Sequence, residues 1–89
     1  MSTTSERLAA AVRRKAILQL LFFAPGRVLT VPRLVRQLEE QHSQIVPTLK
    51  VRTDLQAMEM QGYVKTVEDA TTLTEEGRDV ALDRVDIVV

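Results

Sequence analysis

PTLKVRTDLQAMEMQGY, running from Pro47 to Tyr63, decides how the rest of this chain is read. Proline holds φ near the helical value and lacks only an amide hydrogen that a first helical turn leaves unpaired, so Pro47 is expected at the first helical position. Val51, Leu55 and Met58 recur at i, i+4 and i+7 and mark one apolar face. Gln61-Gly62 closes the run before β-type residues begin. The outward side carries Lys50, Arg52, Thr53 and Gln56, residue types able to meet phosphates and base edges. A helix with one buried face and one basic, hydrogen-bonding face is what a groove-reading element requires.

Working outward toward the amino terminus, Thr30 is the expected cap of a second helix. Val31, Leu34, Val35 and Leu38 form its apolar stripe, and Pro32 is tolerated in its first turn. This helix is expected to end near Gln41, with His42 to Val46 as a short connector. Arg33 and Arg36 lie off the stripe and face solvent or phosphate. Pro25-Gly26 is a turn signal, and Arg27-Val28-Leu29 is long enough for one β-bridge. Before it, no Gly or Pro interrupts Ser5 to Phe23, which reads as a first helix with Ser5 as N-cap and Glu6 near its positive end. At about 100° per residue, Ile17, Leu20, Leu21 and Ala24 share one side. Leu8, Val12 and Phe22 or Phe23 lie closer to the opposite one. Either later elements cover both sides, or Leu8, Val12, Phe22 and Phe23 meet a second copy in a homodimer.

Working outward toward the carboxy terminus, Tyr63 to Val67 and Ala70 to Leu73 are two short runs rich in β-branched residues around Glu68-Asp69, a small hairpin. Thr74 should cap a last helix that opens on Glu75-Glu76 and turns Val80, Ala81 and Val85 inward. Gly77 costs that helix propensity, so a close approach to another element is the expected reason for it. Asp86 to Val89 is either a frayed end or a pairing strand. The order helix, strand, helix, helix, hairpin, helix is mainly α with a small β-hairpin, the layout of a winged helix-turn-helix over residues 1–89.

Composition sets the bounds. Eighty-nine residues make one small domain, and 45% hydrophobic residues with only two Phe and one Tyr imply an aliphatic, helix-favouring core. Without cysteine there is no disulfide, thiolate metal site or thiol nucleophile. His42 is the only histidine and has no companion ligand, so no metal is expected. The three glycines are dispersed and build no phosphate loop, and the acids read as solvated, so neither a cofactor nor an enzymatic activity is expected. MSTTSERLAA lacks the pattern of a secretory leader, and the longest apolar run, around Ile17 to Ala24, is too short to span a bilayer. A cytoplasmic protein without membrane contact is expected.

The formal net charge is zero, but its distribution is uneven. Up to residue 53 the chain holds nine Lys or Arg against three acids, and from residue 54 it holds three against nine. Two outcomes follow. The blocks can attract each other within the monomer, or the first can face a polyanion while the second faces water or a basic partner.

RRKAILQLLFFAPG, the VRTDL inside the third helix, the QGYV that leaves it and the closing LTEEGRDVA together resemble the small winged-helix proteins of Mu-like phages and prophages, over nearly the whole chain. QGYV followed by LTEEGR is also similar to winged-helix regulators of the MarR and ArsR kinds. The resemblance implies a winged helix of phage or prophage origin, acting in a bacterial host. This chain departs from the pattern at the wing, which shrinks to Glu68-Asp69, an acidic tip that phosphate would repel. It also departs at Leu49 and Met60, which fall on the outward side of the third helix and suit a protein surface.

The leading expectation is a DNA-binding transcriptional regulator that places the helix at 47–61 in the major groove of double-stranded DNA. Lys50 and Arg52 would anchor on phosphate or guanine, Thr53 and Gln56 would read bases, Thr48 would fix register, and Arg33 and Arg36 would grip the flanking backbone. The alternative is a protein-interaction module for phage assembly or a host factor, without DNA binding.

Overall fold

The computed structural model describes residues 3–89. Helix α1 (Thr4–Phe23) is capped two residues before Ser5: Thr3 is the N-cap, its hydroxyl accepting from the Glu6 amide at 3.1 Å while the Glu6 carboxylate accepts from the Thr3 amide at 3.3 Å. This reciprocal capping box satisfies two otherwise orphaned donors, which a cap at Ser5 would not. A single 3-10 turn, Pro25–Arg27, uses positive φ at Gly26 and Arg27 to reverse the chain into strand β1 (Val28–Thr30).

Helix α2 (Val31–His42) follows at once. Thr30 occupies its cap position but its hydroxyl caps nothing; the first amide, of Val31, donates instead to the Asp69 carbonyl at 3.0 Å. Val31, Leu34 and Leu38 are buried and Val35 packs at the edge of the core, as the stripe predicts. Ser43 takes the left-handed conformation after the helix, and the Gln44 amide closes onto the Leu38 carbonyl.

Helix α3 (Thr48–Met60) buries Val51, Leu55 and Met58 as expected. Pro47 is its N-cap, not its first helical residue: its backbone is extended and its carbonyl accepts from the Lys50 and Val51 amides. At the other end Gly62, at φ 85°, lets the Tyr63 amide reach back to the Met58 carbonyl at 2.9 Å. The chain then forms β2 (Val64–Val67), the Glu68-Asp69 tip and β3 (Ala70–Leu73). The hairpin is part of a larger sheet, because β1 also pairs antiparallel with β3, giving the strand order β1-β3-β2.

Helix α4 (Glu75–Ala81) is capped by Thr74, whose hydroxyl accepts from the Gly77 amide at 3.1 Å and donates to the Gly62 carbonyl at 2.6 Å. Val80 and Ala81 are buried, whereas Val85 lies exposed beyond the helix, correcting its inward assignment. The segment from Asp86 to Val89 neither frays freely nor pairs as a strand. Ile87 packs on the core, and the Val88 amide donates to the Tyr63 hydroxyl at 3.2 Å.

One aliphatic core joins these parts. Ile17, Leu18 and Leu21 of α1 are fully buried among the apolar faces of α2, α3 and α4, with Leu29, Val64 and Leu73 closing the sheet side. Among the described residues the outcome is four α-helices and a three-stranded antiparallel sheet, with the face of α3 opposite its core side left open. No helix among the described residues is long and apolar enough to cross a membrane.

Candidate nucleic-acid interface

Helical spacing divides the surface of α3 into a ridge and two flanks. The ridge is Leu49, Thr53, Gln56 and Met60, all exposed, with Leu49 at 75% and Met60 at 90%. These two therefore do not fold under the hairpin or over α2. Thr53 donates its hydroxyl to the Leu49 carbonyl at 3.0 Å, which leaves oxygen lone pairs and the methyl group outward. Gln56 makes no side-chain hydrogen bond among the described residues. Thr48, in the first turn, is exposed as well.

The flank toward the hairpin carries Arg52, and it is not free. Its guanidinium pairs with Asp69 at 3.0 Å, while Glu59 accepts from the Thr66 amide at 2.5 Å. Asp69 also receives the Val31 amide on its carbonyl. The tip is thus drawn back against α2 and α3 and does not project. A cleft of about 290 Å³ remains between α3 and the hairpin, lined by Arg52, Gln56, Glu59, Thr66 and Glu68 among others, and it is acidic on balance.

The opposite flank faces α1. Here Lys50 is exposed and has no ion-pair partner among the described residues. One turn further on lies Asp54, only 1% exposed, on the buried side of α3. Two arginines of α1 hold it: Arg13 through Nε on one carboxylate oxygen and Nη2 on the other at 2.8 Å, and Arg14 through Nε at 3.0 Å. That hydrogen bond raises the Arg13 guanidinium above its ordinary value, against the opposing effect of burial. The expectation that every acid is solvated fails at Asp54. Asp54 sits four residues before Met58 and three after Val51, so the helical period itself placed it on the apolar stripe. A carboxylate there needs a cationic partner, and Arg13-Arg14 was available.

The remaining candidate residues lie on the other elements. Arg33 lines a hollow with Leu20, Phe23, Pro25 and Leu29, whose walls include no α3 residue. Arg36 pairs along its own helix with Glu40 at 3.4 Å. Leu8 and Val12 are exposed on the amino half of α1 and form, with Ile45, Val46 and Pro47, an apolar groove of about 580 Å³. Phe23 is exposed, but it lies about 22 Å from Leu8 along the helix, at 1.5 Å per residue. Phe22 does not belong to that surface: it packs on the core, meets the Phe23 ring edge-on and is covered by Arg27 at 4.8 Å.

No family model, curated protein or solved structure matches the chain. Its chemistry is therefore read from its own surfaces. The two charge blocks meet within the monomer: Arg13 and Arg14 with Asp54, Arg52 with Asp69, and Lys15 with Asp83 each join a base before residue 54 to an acid from residue 54 onward. No cluster of His, Asp and Glu suited to a metal ion occurs among the described residues. What remains open on α3 is a polar and apolar ridge with Lys50, unpaired among the described residues, at its side.

Proposed function

We propose that this chain is a winged-helix DNA-binding regulator of the kind carried by Mu-like phages and prophages, reading the major groove of a duplex with α3. The observation that carries the reading is the open ridge of α3. Thr53 and Gln56 stand exposed between Leu49 and Met60, with Lys50 unpaired beside them and the hairpin folded back. Glutamine can pair bidentately with adenine, and Leu, Met and the Thr methyl suit a thymine methyl group, so the ridge fits base edges better than phosphate. Arg33 and Arg36 have no share in this proposal, since Arg33 lines a hollow without α3 residues and Arg36 is paired with Glu40 along its own helix. In a homodimer, the contact would be made by Leu8 and Val12.

The test is the salt dependence of duplex binding. Each phosphate contact contributes roughly one unit to the slope of log K against log salt. Lys50→Ala combined with Arg52→Ala is expected to lower that slope by about 1 to 2. Absence of binding to any duplex at low salt would end the proposal. Asp69→Asn releases Arg52 from an exposed pair worth about 0.2–1 kcal/mol, so duplex affinity should rise by up to about fivefold in a titration at low salt. A decrease would mean that the folded-back tip helps binding.

A second function, a protein-interaction module without DNA binding, is favoured by exposed apolar side chains in the α1 groove and on the α3 ridge. Leu8, Val12, Ile45, Leu49 and Met60 are all more than half exposed. Such residues anchor protein contacts well when desolvated.

A further inference from the structure

We infer that the cleft between α1 and α3 binds a backbone phosphodiester of the duplex, with Arg14 and Lys50 as its cationic donors and Arg13 as their support. The inference rests on the DNA-binding role proposed above, and it assigns to α1 a part in binding that α3 alone does not supply.

The cleft, of about 380 Å³, is lined by Glu6, Ala9, Ala10, Arg13, Arg14, Lys50, Thr53 and Asp54. Its charges do not cancel. Two guanidinium groups and one ammonium face Asp54 and Glu6, and these acids are already engaged. Asp54 accepts from both arginines, and Glu6 accepts from the Thr3 amide in the capping box. Arg14 is the informative residue. It gives only Nε to Asp54, so its two terminal nitrogens, with four N–H groups, have no hydrogen-bond acceptor among the described residues. Its side chain is nevertheless only 15% exposed, so it is held in place instead of swinging in solvent. A guanidinium fixed by one edge and open on the other is preorganised for a tetrahedral oxyanion, which accepts two parallel N–H bonds.

The neighbours determine which oxyanion fits. Lys50 and Thr53 belong to both the cleft and the open side of α3, so an anion seated here lies beside the ridge Leu49–Thr53–Gln56–Met60. A phosphodiester flanking a groove occupied by α3 has that relation to the helix. Arg13 works differently. Two of its nitrogens are bound to Asp54, which offsets that carboxylate, so that Arg14 and Lys50 face only Glu6 and the cleft keeps an excess of positive charge.

The experiment is a fluorescence titration of the full chain with a random-sequence duplex over a range of salt concentrations. Arg14→Gln keeps the Arg13 pair on Asp54 and removes the open donor edge. The slope of log K against log salt should fall by about 1. Arg84→Gln, which removes an equal charge from a side chain paired with Asp79, should leave the slope unchanged. Equal slopes for wild type and Arg14→Gln, with wild-type binding intact, overturn the inference and leave the α3 proposal standing. Loss of all wild-type binding removes both. Should Arg14→Gln not fold, Glu6→Gln decides, because glutamine can keep the capping box while its negative charge leaves the cleft. Tighter duplex binding then supports the site, and unchanged binding overturns it.

Discussion

Gly77→Ala should cost about 3 kcal/mol or more and lower the melting temperature by more than about 12 °C, at roughly 4–8 °C per kcal/mol for a domain of this size. A methyl group built at Gly77 would stand 2.1 Å from the Tyr63 carbonyl oxygen and 2.7 Å from Leu73 Cδ1. Leucine could rotate away, but the carbonyl cannot move easily. It accepts from the Thr74 amide at 3.1 Å, and Thr74 in turn caps α4 and donates to Gly62. Relief would require shifting the whole α3–β2 turn or lifting α4 off the sheet. Alanine gains about 1 kcal/mol of helix propensity over glycine, which opposes the clash without approaching it. Thermal unfolding followed by circular dichroism measures the outcome. A variant as stable as wild type would mean that α4 does not approach the turn as closely as described. The same substitution leaves the α3 ridge untouched, so the duplex binding proposed for that ridge should persist in any folded fraction.

Gly77 also shows what the chain discloses before it is folded. A glycine inside a capped helix, with no turn to explain it, points to backbone contact, and that inference needs no knowledge of the partner. The helices were legible for a similar reason: Val51, Leu55, Met58 and Val31, Leu34, Leu38 repeat at helical spacing, and both stripes are buried. The pairing of β1 with β3 was not legible. Val28 to Thr30 is three residues long, and its partner residues lie 40 to 44 positions away, beyond any local pattern. The Thr3 capping box was missed although T-x-x-E is visible in the sequence, because Ser5 competes for the same role. At α3, the exposure of Lys50, Thr53 and Gln56 follows from periodicity alone. The capture of Arg52 by Asp69 does not, since it depends on how far the hairpin folds back. Charge counting placed Arg13, Arg14 and Arg52 in a basic half that either meets the acidic half within the monomer or faces a polyanion, but it carries no information on which bases meet which acids.

Asp54→Ala should destabilise the protein by about 3 kcal/mol, the lower end of the range for breaking a buried pair. The lower end applies because the arginine side chains are not sealed. Arg13 is 14% exposed and Arg14 15%, so both can move part of their charge toward water once the carboxylate is gone. The carboxylate itself is almost fully buried and accepts three hydrogen bonds, two from Arg13 and one from Arg14. Removing it leaves two guanidinium groups near the apolar face of α3 with no anion between them. Denaturant unfolding should therefore show a lower midpoint with little change in slope. The double variant Arg13→Met/Asp54→Leu tests the cause. It replaces the bidentate pair by apolar groups of similar volume and should recover most of the lost stability, since a buried pair and a packed apolar contact are often close in free energy. If the double variant is no more stable than Asp54→Ala, the loss at Asp54 lies in the Arg14 charge, which both variants leave without its carboxylate, and not in the Arg13 pair. The duplex prediction then separates stability from function. Asp54→Ala adds net positive charge beside Lys50, so its folded fraction should bind a duplex more tightly than wild type, even though less of the protein is folded.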